Sequence, residues 1–556
     1  MEWLLFFALL GGGGYAAYKK LTTWTPPSDE DIDEVSWNTP YGNARFARIE
    51  EYTPGSPATG VFHGQHQNRS WTITVPEQHQ KKWGKEIPRG GEIGERIYTP
   101  PESNTLLVAP AGAGKGRNII INTLLETSDI SVFTIDPKGE NCAVTIRERF
   151  KMGQKVHVLN PWGLHGIPSR SVNPLDLLNP EVPEVVSNAT FLTDLMMMPG
   201  QEENFWDISA KTFIRGLLLY VAAHEPEEKR NLVRFYELLT EDPAKSQEEN
   251  QAPLLARMFK SPKCNGAIHA AAAGLESMAE RTRGDILATA RAHCDFLTDP
   301  IIRASLTHSD FSFADLKTDL TTIYVLIPAY ALETQGRWLR LMVGMALTAM
   351  ERGDPFKHRA LFLLDEFAAL GRLEKIRQGI ALHRGYGIDY CLVVQDLNQL
   401  QELYKSGWQT IISNCRYKYF KAISDNVTAE YVSKMLGNRT VWAEGESPNP
   451  EAPGWAHFKK QYQPGQRNKV GMPLQSPDDL LTFTQDQGIV IRTGENPMLA
   501  KIGPYDADGR NSKKADPNPY YTENYKFPKE VAKDLREGKV YSKSTSPLKR
   551  GTVSLG

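Results

Sequence analysis

The chain predicts an α/β fold built on a parallel-rich central sheet, and three observations carry that reading. First, short apolar runs rich in β-branched residues recur between longer helical stretches, at 106–108, 132–135, 156–159, 323–327, 361–364, 391–394 and 489–491. Runs this short, without polar alternation, are what strands buried on both faces look like. Second, the run at 106–108 delivers the chain into a Gly-rich loop and then a helical pattern. Third, the runs stop between Pro174 and Phe311, where helical stretches such as 209–223 and 269–298 take their place. A sheet-based domain in two parts, 101–175 and 312–505, is therefore expected around an all-α insertion at 176–311.

Composition bounds the class. Lys and Arg number 64 against 66 Asp and Glu, a formal charge of −2 over 556 residues, so any nucleic-acid contact must be local. A content of 40% hydrophobic and 23% charged residues is globular and too polar for several membrane spans. Cys142, Cys264, Cys294, Cys391 and Cys415 stand far apart with no CxxC spacing, which argues against a disulfide framework or thiolate zinc site and for a reducing compartment.

At the start, residues 3–18 (WLLFFALLGGGGYAAY) carry no charge and are followed by Lys19 and Lys20. They predict one short membrane anchor, residues 1–20, with the bulk of the chain cytoplasmic, although a span usually takes ~18–20 residues. Residues 21–100 read as a linker and a small β-rich region. Residues 506–556 read as a flexible basic tail, since 526–556 hold eight Lys or Arg against three acids.

The chemistry concentrates in three segments. Residues 106–118 (LLVAPAGAGKGRN) set a strand, a loop and a helix start around one lysine. Glycines permit backbone angles that turn N–H groups toward one point, and a helix N-terminus adds partial positive charge there. Ala111, Gly112, Ala113, Gly114, Lys115, Gly116 and Arg117 form the expected phosphate-binding segment for ATP, with Lys115 reaching the β- and γ-phosphates. The pattern departs from the general one at Ala109, in place of the first glycine, and at Gly116, in place of the hydroxyl residue that binds Mg2+.

Residues 361–366 (LFLLDE) end a strand in two acids. Asp365 is expected to hold Mg2+, and Glu366 to orient and deprotonate the attacking water. The strand at 391–394 ends in Gln395, placed to sense the γ-phosphate or position water. Upstream, Arg372, Lys375, Arg377, His383 and Arg384 form a basic run. Arg384 is the candidate arginine finger, acting in trans; a solvated face or contacts to DNA phosphates are the alternatives. His63 and His66 have no third metal ligand in view. Met196, Met197 and Met198, and the Phe205-Trp206 pair, read as packing residues.

Together these segments resemble the VirD4/TraG type IV coupling proteins, in which a Lys-Gly loop like Lys115-Gly116 is common. Also similar to that family are 41–47 (YGNARFA), 136–141 (DPKGEN), 173–175 (NPL), 204–207 (NFWD), 364–371 (LDEFAALG), 384–387 (RGYG), 428–433 (TAEYVS) and 473–479 (PLQSPDD), in consistent order. The resemblance implies a RecA-like ATPase domain, assembled as a homo-hexamer and anchored in the inner membrane. It implies a protein that takes a relaxase with single-stranded DNA, or an effector protein, and passes it to a type IV secretion channel. The insertion is implied to take part in substrate selection. Many relatives carry two spanning helices where this chain has one short candidate. Two other readings stay open: an FtsK- or HerA-like DNA translocase, and a docking receptor that binds nucleotide but hydrolyses little, which Gly116 motivates.

Overall fold

The computed structural model describes residues 44–47, 51, 56–67, 71–74, 86–89, 93–198, 204–241, 252–444 and 467–540. The expected anchor at 1–20, the family-like residues 41–43 and the tail end at 541–556 lie outside them. No described helix is long and apolar enough to cross a membrane.

The first described strands are β1 Phe62–Gln67, β2 Trp71–Thr74, β3 Glu86–Arg89, β4 Ile93–Tyr98, β5 Thr105–Val108, β6 Ser131–Asp136 and β7 Lys155–Leu159. Then come β8 Thr321–Leu326, β9 Ala360–Leu364, β10 Ile388–Val394, β11 Tyr417–Lys421, β12 Asn438–Glu444, β13 Arg467–Pro473, β14 Gln487–Arg492 and β15 Met498–Lys501. The central sheet runs β4-β1-β15-β14-β11-β5-β10-β9-β6-β8-β7. From β11 to β7 every pairing is parallel. At the other edge β14, β15, β1 and β4 pair antiparallel. The run at 489–491 is thus a buried strand, but antiparallel to both neighbours. The region expected to be separate at 21–100 supplies β1 and β4 to this same sheet, and β2–β3 as a hairpin of its own.

Both faces of the parallel strands are covered, which explains the unbroken apolar runs. Leu106, Val108, Phe362 and Leu364 face one core, while Leu107, Leu361 and Leu363 face the other. All five cysteines are free and buried.

Between β7 and β8 the described residues form helices and turns and no strand. They do not form a separately cored unit, because residues of the insertion and one face of the sheet share a single core. The contact runs through Val185–Met196 and Gly336–Glu351: a Cβ at Gly344 would fall 2.5 Å from Leu195, so glycine is what lets the two helices meet. Met196 and Met197 are buried there, as a packing role requires. Phe205 and Trp206 differ from expectation: they stack edge-to-face on each other and stay 54% and 39% exposed. Asn204 caps the helix Phe205–His224 by accepting from Asp207 N–H, and that phase starts the buried stripe only at Ala210.

The flexible tail expected from 506 is also corrected. Residues 506–540 fold back onto the sheet domain, with Phe527, Val531 and Leu535 in the second core. Asn511 bonds Asn122 and Glu126, and Asp516 receives Arg147 at 2.8 Å. The basic charges of Lys529–Glu537 occupy the outer side of an amphipathic helix whose apolar stripe is buried.

Candidate active site

Four neighbouring parallel strands, β5, β10, β9 and β6, end on the same edge, the place where open parallel sheets bind ligands. After β5, Ala109 N–H donates to the Val394 carbonyl at 3.0 Å and so prolongs the strand pairing. An extended residue there needs no glycine, which accounts for Ala109. Gly112 and Gly114 then take left-handed angles, φ 80° and 74°, that a side chain would resist. Lys115 opens the wide helical turn Gly116–Ile120, which continues as Ile121–Glu126.

Folding brings four of the expected residues together. Lys115 Nζ lies 2.8 Å from Glu366 Oε1. Gln395 Nε2 donates to Glu366 Oε2 at 3.0 Å, and the Glu366 N–H donates to Asp365 Oδ1 at 3.1 Å. The backbone of Glu366 sits at φ 56°, a left-handed conformation that costs a non-glycine residue roughly 1–3 kcal/mol. Strain therefore falls on the expected base.

Asp136 completes the cluster. It ends β6 as Asp365 follows β9, and the register Ile135 to Leu364 sets the two strand ends side by side. Burial pushes the Asp365 carboxyl up to about 6, against the pull of Lys115. Burial likewise pushes Asp136 up to about 7; N–H groups of Cys142, at 2.8 Å, and Lys138 oppose the shift and Asp365 adds to it. Two buried acids and Glu366 share the ammonium of Lys115, with Lys138 adding a weaker pull on Asp365, so acids outnumber the cations that reach them. Hard oxygen donors in that state fit Mg2+.

Residue types and spacing assign Asp136 no role of its own; it enters only within a family-like segment. A signal is nonetheless present: residues 132–135 end in an acid just as 361–364 do. Arg117, expected in the phosphate segment, is engaged with the folded-back C-terminal residues. It pairs with Asp506, and its guanidinium lies 5.4 Å from the Tyr521 ring centre. Arg384 stands before β10, at the opposite end of that strand from Gln395, 67% exposed and 3.3 Å from Glu102. Within one chain it does not join the cluster. The rest of the basic run is tied to two acids: Lys375 and His383 both reach Glu351, at 2.6 and 2.7 Å, while Arg372 and Arg377 reach Glu374. His63 is buried between Tyr417 and Tyr419.

Known proteins resemble the chain in sequence and in fold. The chain is 28% identical over 427 residues to protein VirD4 of Agrobacterium fabrum, covering 74% of this chain and 60% of that one. It is 28% identical over 435 residues to the conjugal transfer protein TraG of Escherichia coli, covering 74% and 66%. The chain thus spans about 60% of the length of these VirD4 relatives. Its fold is similar to that of the bacterial conjugative coupling protein TrwBdeltaN70 in complex with sulphate, at TM-score 0.56 and 14% identity over 83% of this chain and 96% of that one. TrwB in complex with ADP and Mg2+ matches at TM-score 0.53 and 14% identity, over 80% and 96%. The family model for type IV secretory system conjugative DNA transfer matches residues 68–527, so the chain belongs to that family, the VirD4/TraG-type coupling proteins.

Proposed function

We propose that the chain is the ATPase of a type IV secretion coupling protein, which recruits a relaxase–DNA complex or an effector protein and drives its transfer to the secretion channel. The observation that carries this reading is the continuous link from Lys115 through Glu366 to Gln395, across the ends of β5, β9 and β10. Lys115 pairs with Glu366. When ATP binds, Lys115 turns to the phosphates, leaving the Glu366 carboxylate free to orient and deprotonate water while Gln395 reports the γ-phosphate. Asp365 and its buried neighbour Asp136 would hold Mg2+, which neutralises charge on the phosphate oxygens.

Hydrolysis is favoured over a docking receptor because the base is present, strained and hydrogen-bonded into position. Membership of a conjugative transfer family favours secretion over an FtsK- or HerA-like translocase. Arg384, exposed and remote from its own chain's cluster, suits a finger contributed to the neighbouring subunit of a homo-hexamer. Residues 1–20 would anchor the assembly in the inner membrane, with the remainder cytoplasmic.

The test is ATP turnover by the full-length chain without nucleic acid, with single-stranded DNA and with double-stranded DNA, using Lys115→Ala as the blank. DNA-stimulated turnover that disappears in the variant is expected for a DNA-coupled motor. Tight ATP binding with turnover no higher than the blank, even with cargo and channel partners supplied, would establish the receptor instead.

A further inference from the structure

We propose that the side-chain amide oxygen of Asn141 takes over, in this chain, the Mg2+-holding role that a serine or threonine hydroxyl plays in the general phosphate-binding loop. The inference rests on the ATPase reading above. It starts from Gly116, the residue after Lys115. This glycine takes no left-handed backbone angle, and a Cβ built on it meets a single atom within 4 Å. Neither conformation nor crowding requires glycine there, so a hydroxyl side chain would fit. The one atom that such a Cβ would meet is Asn141 Oδ1, at 3.8 Å. An oxygen from another element therefore stands close to where the loop's own oxygen is missing.

The placement of Asn141 is built rather than incidental. It is the second residue of the helix Glu140–Lys151, which begins after Gly139 at φ 67°. The Asp136 carboxylate fixes that start by accepting the N–H of Cys142, the residue next to Asn141. Asn141 is only 4% exposed. Its main-chain carbonyl accepts from Thr145 Oγ1 at 2.6 Å, but its side-chain amide makes no hydrogen bond to any described residue. The amide is not sealed from solvent, so its oxygen can meet a ligand that arrives beside the loop. An amide oxygen is a hard, neutral donor of the kind Mg2+ accepts, and it would add to the carboxylates of Asp365 and Asp136 in holding the ion. The same turn thus delivers both the unexpected acid and the unexpected amide to the loop's helical start.

The experiment uses the full-length chain saturated with ADP and Mn2+ as the probe, with bound and free Mn2+ separated by electron paramagnetic resonance. Asn141→Ala is expected to weaken Mn2+ binding by roughly 10–100-fold while ADP affinity in EDTA stays unchanged. Asn141→Asp, which keeps the shape and an oxygen donor, should retain Mn2+ binding. Gly116→Ser added to Asn141→Ala should restore it, because the hydroxyl returns to its usual position. Unchanged Mn2+ affinity in Asn141→Ala overturns the proposal. So does a loss of ADP affinity in EDTA, which would assign Asn141 to the nucleotide instead. Failure of the unaltered chain to bind ADP at all overturns the ATPase reading itself, a result distinguishable from either.

Discussion

At the N-terminal edge of the parallel strands, buried Asp389 receives two guanidinium nitrogens of Arg359, at 2.9 and 2.7 Å, and the N–H of Glu102 at 3.3 Å. At the C-terminal edge, Asp136 and Asp365 are buried to a similar degree, yet Asp136 meets only backbone N–H groups and Asp365 lies near a lysine already paired with Glu366. Burial pushes all three carboxyls up; Asp389 is opposed by a guanidinium hydrogen-bonded to it, Asp365 only by the through-space pull of Lys115 and Lys138, and Asp136 by backbone N–H groups. An acid matched within the fold holds the fold together. Acids without such a partner, at the edge where open parallel sheets bind ligands, would suit the cation of the proposed nucleotide site.

That contrast can be tested by exchanging which edge is damaged. Glu366→Gln should lower ATP turnover by roughly 10²–10⁴-fold with nucleotide binding intact, as loss of a general base does. Steady-state turnover and equilibrium binding of a fluorescent ATP analogue read the two effects separately. Arg359→Ala should do the reverse. It strands the Asp389 charge and should cost about 3–5 kcal/mol in urea unfolding, while turnover per folded molecule stays within a few-fold. Equal losses of turnover in both variants would erase the distinction between the edges.

The pH dependence separates the edges further. Because the folded chain holds the Asp136 proton to about 7, against 3.8 ordinarily, ionising this group costs stability as pH rises through that window. Asp136→Asn removes the cost, so its stability relative to the unaltered chain should climb between pH 5 and 8, by roughly 1–3 kcal/mol. Asp365 titrates in the same direction, and ADP with Mg2+ should shrink the difference. Urea midpoints across that range, with and without the ligand, would show it; a flat difference would mean that Asp136 is already compensated. The smallest effect belongs to Arg117→Ala. Its ion pair with Asp506 is 41% exposed on both sides, so the change should cost only about 0.2–1 kcal/mol in the same assay.

Much of the site is legible in the sequence. The loop with Lys115, the Asp365-Glu366 strand end and the strand-terminal Gln395 each lie within one short segment, where residue type and spacing carry the chemistry. Asp136 is hidden there because nothing local distinguishes an acid after one strand from an acid after another. Its importance comes from β6 lying beside β9, a pairing between segments more than 200 residues apart. The exposure of Phe205 and Trp206 escapes a sequence reading because the capping phase of a helix decides which of its aromatic residues face inward.

Local sequence is enough to say which segments are strands, where the phosphate loop lies and which acid can serve as base, since backbone preference and apolar periodicity act over a few residues. The order of the strands, the shared core of sheet and insertion, and the return of residues 506–540 arise only when the whole chain packs. Packing also brings Lys115 to Glu366 across 251 residues of chain and sets Asn141 against Gly116. Those contacts follow from burying both faces of one sheet at once, a condition that no single segment can express.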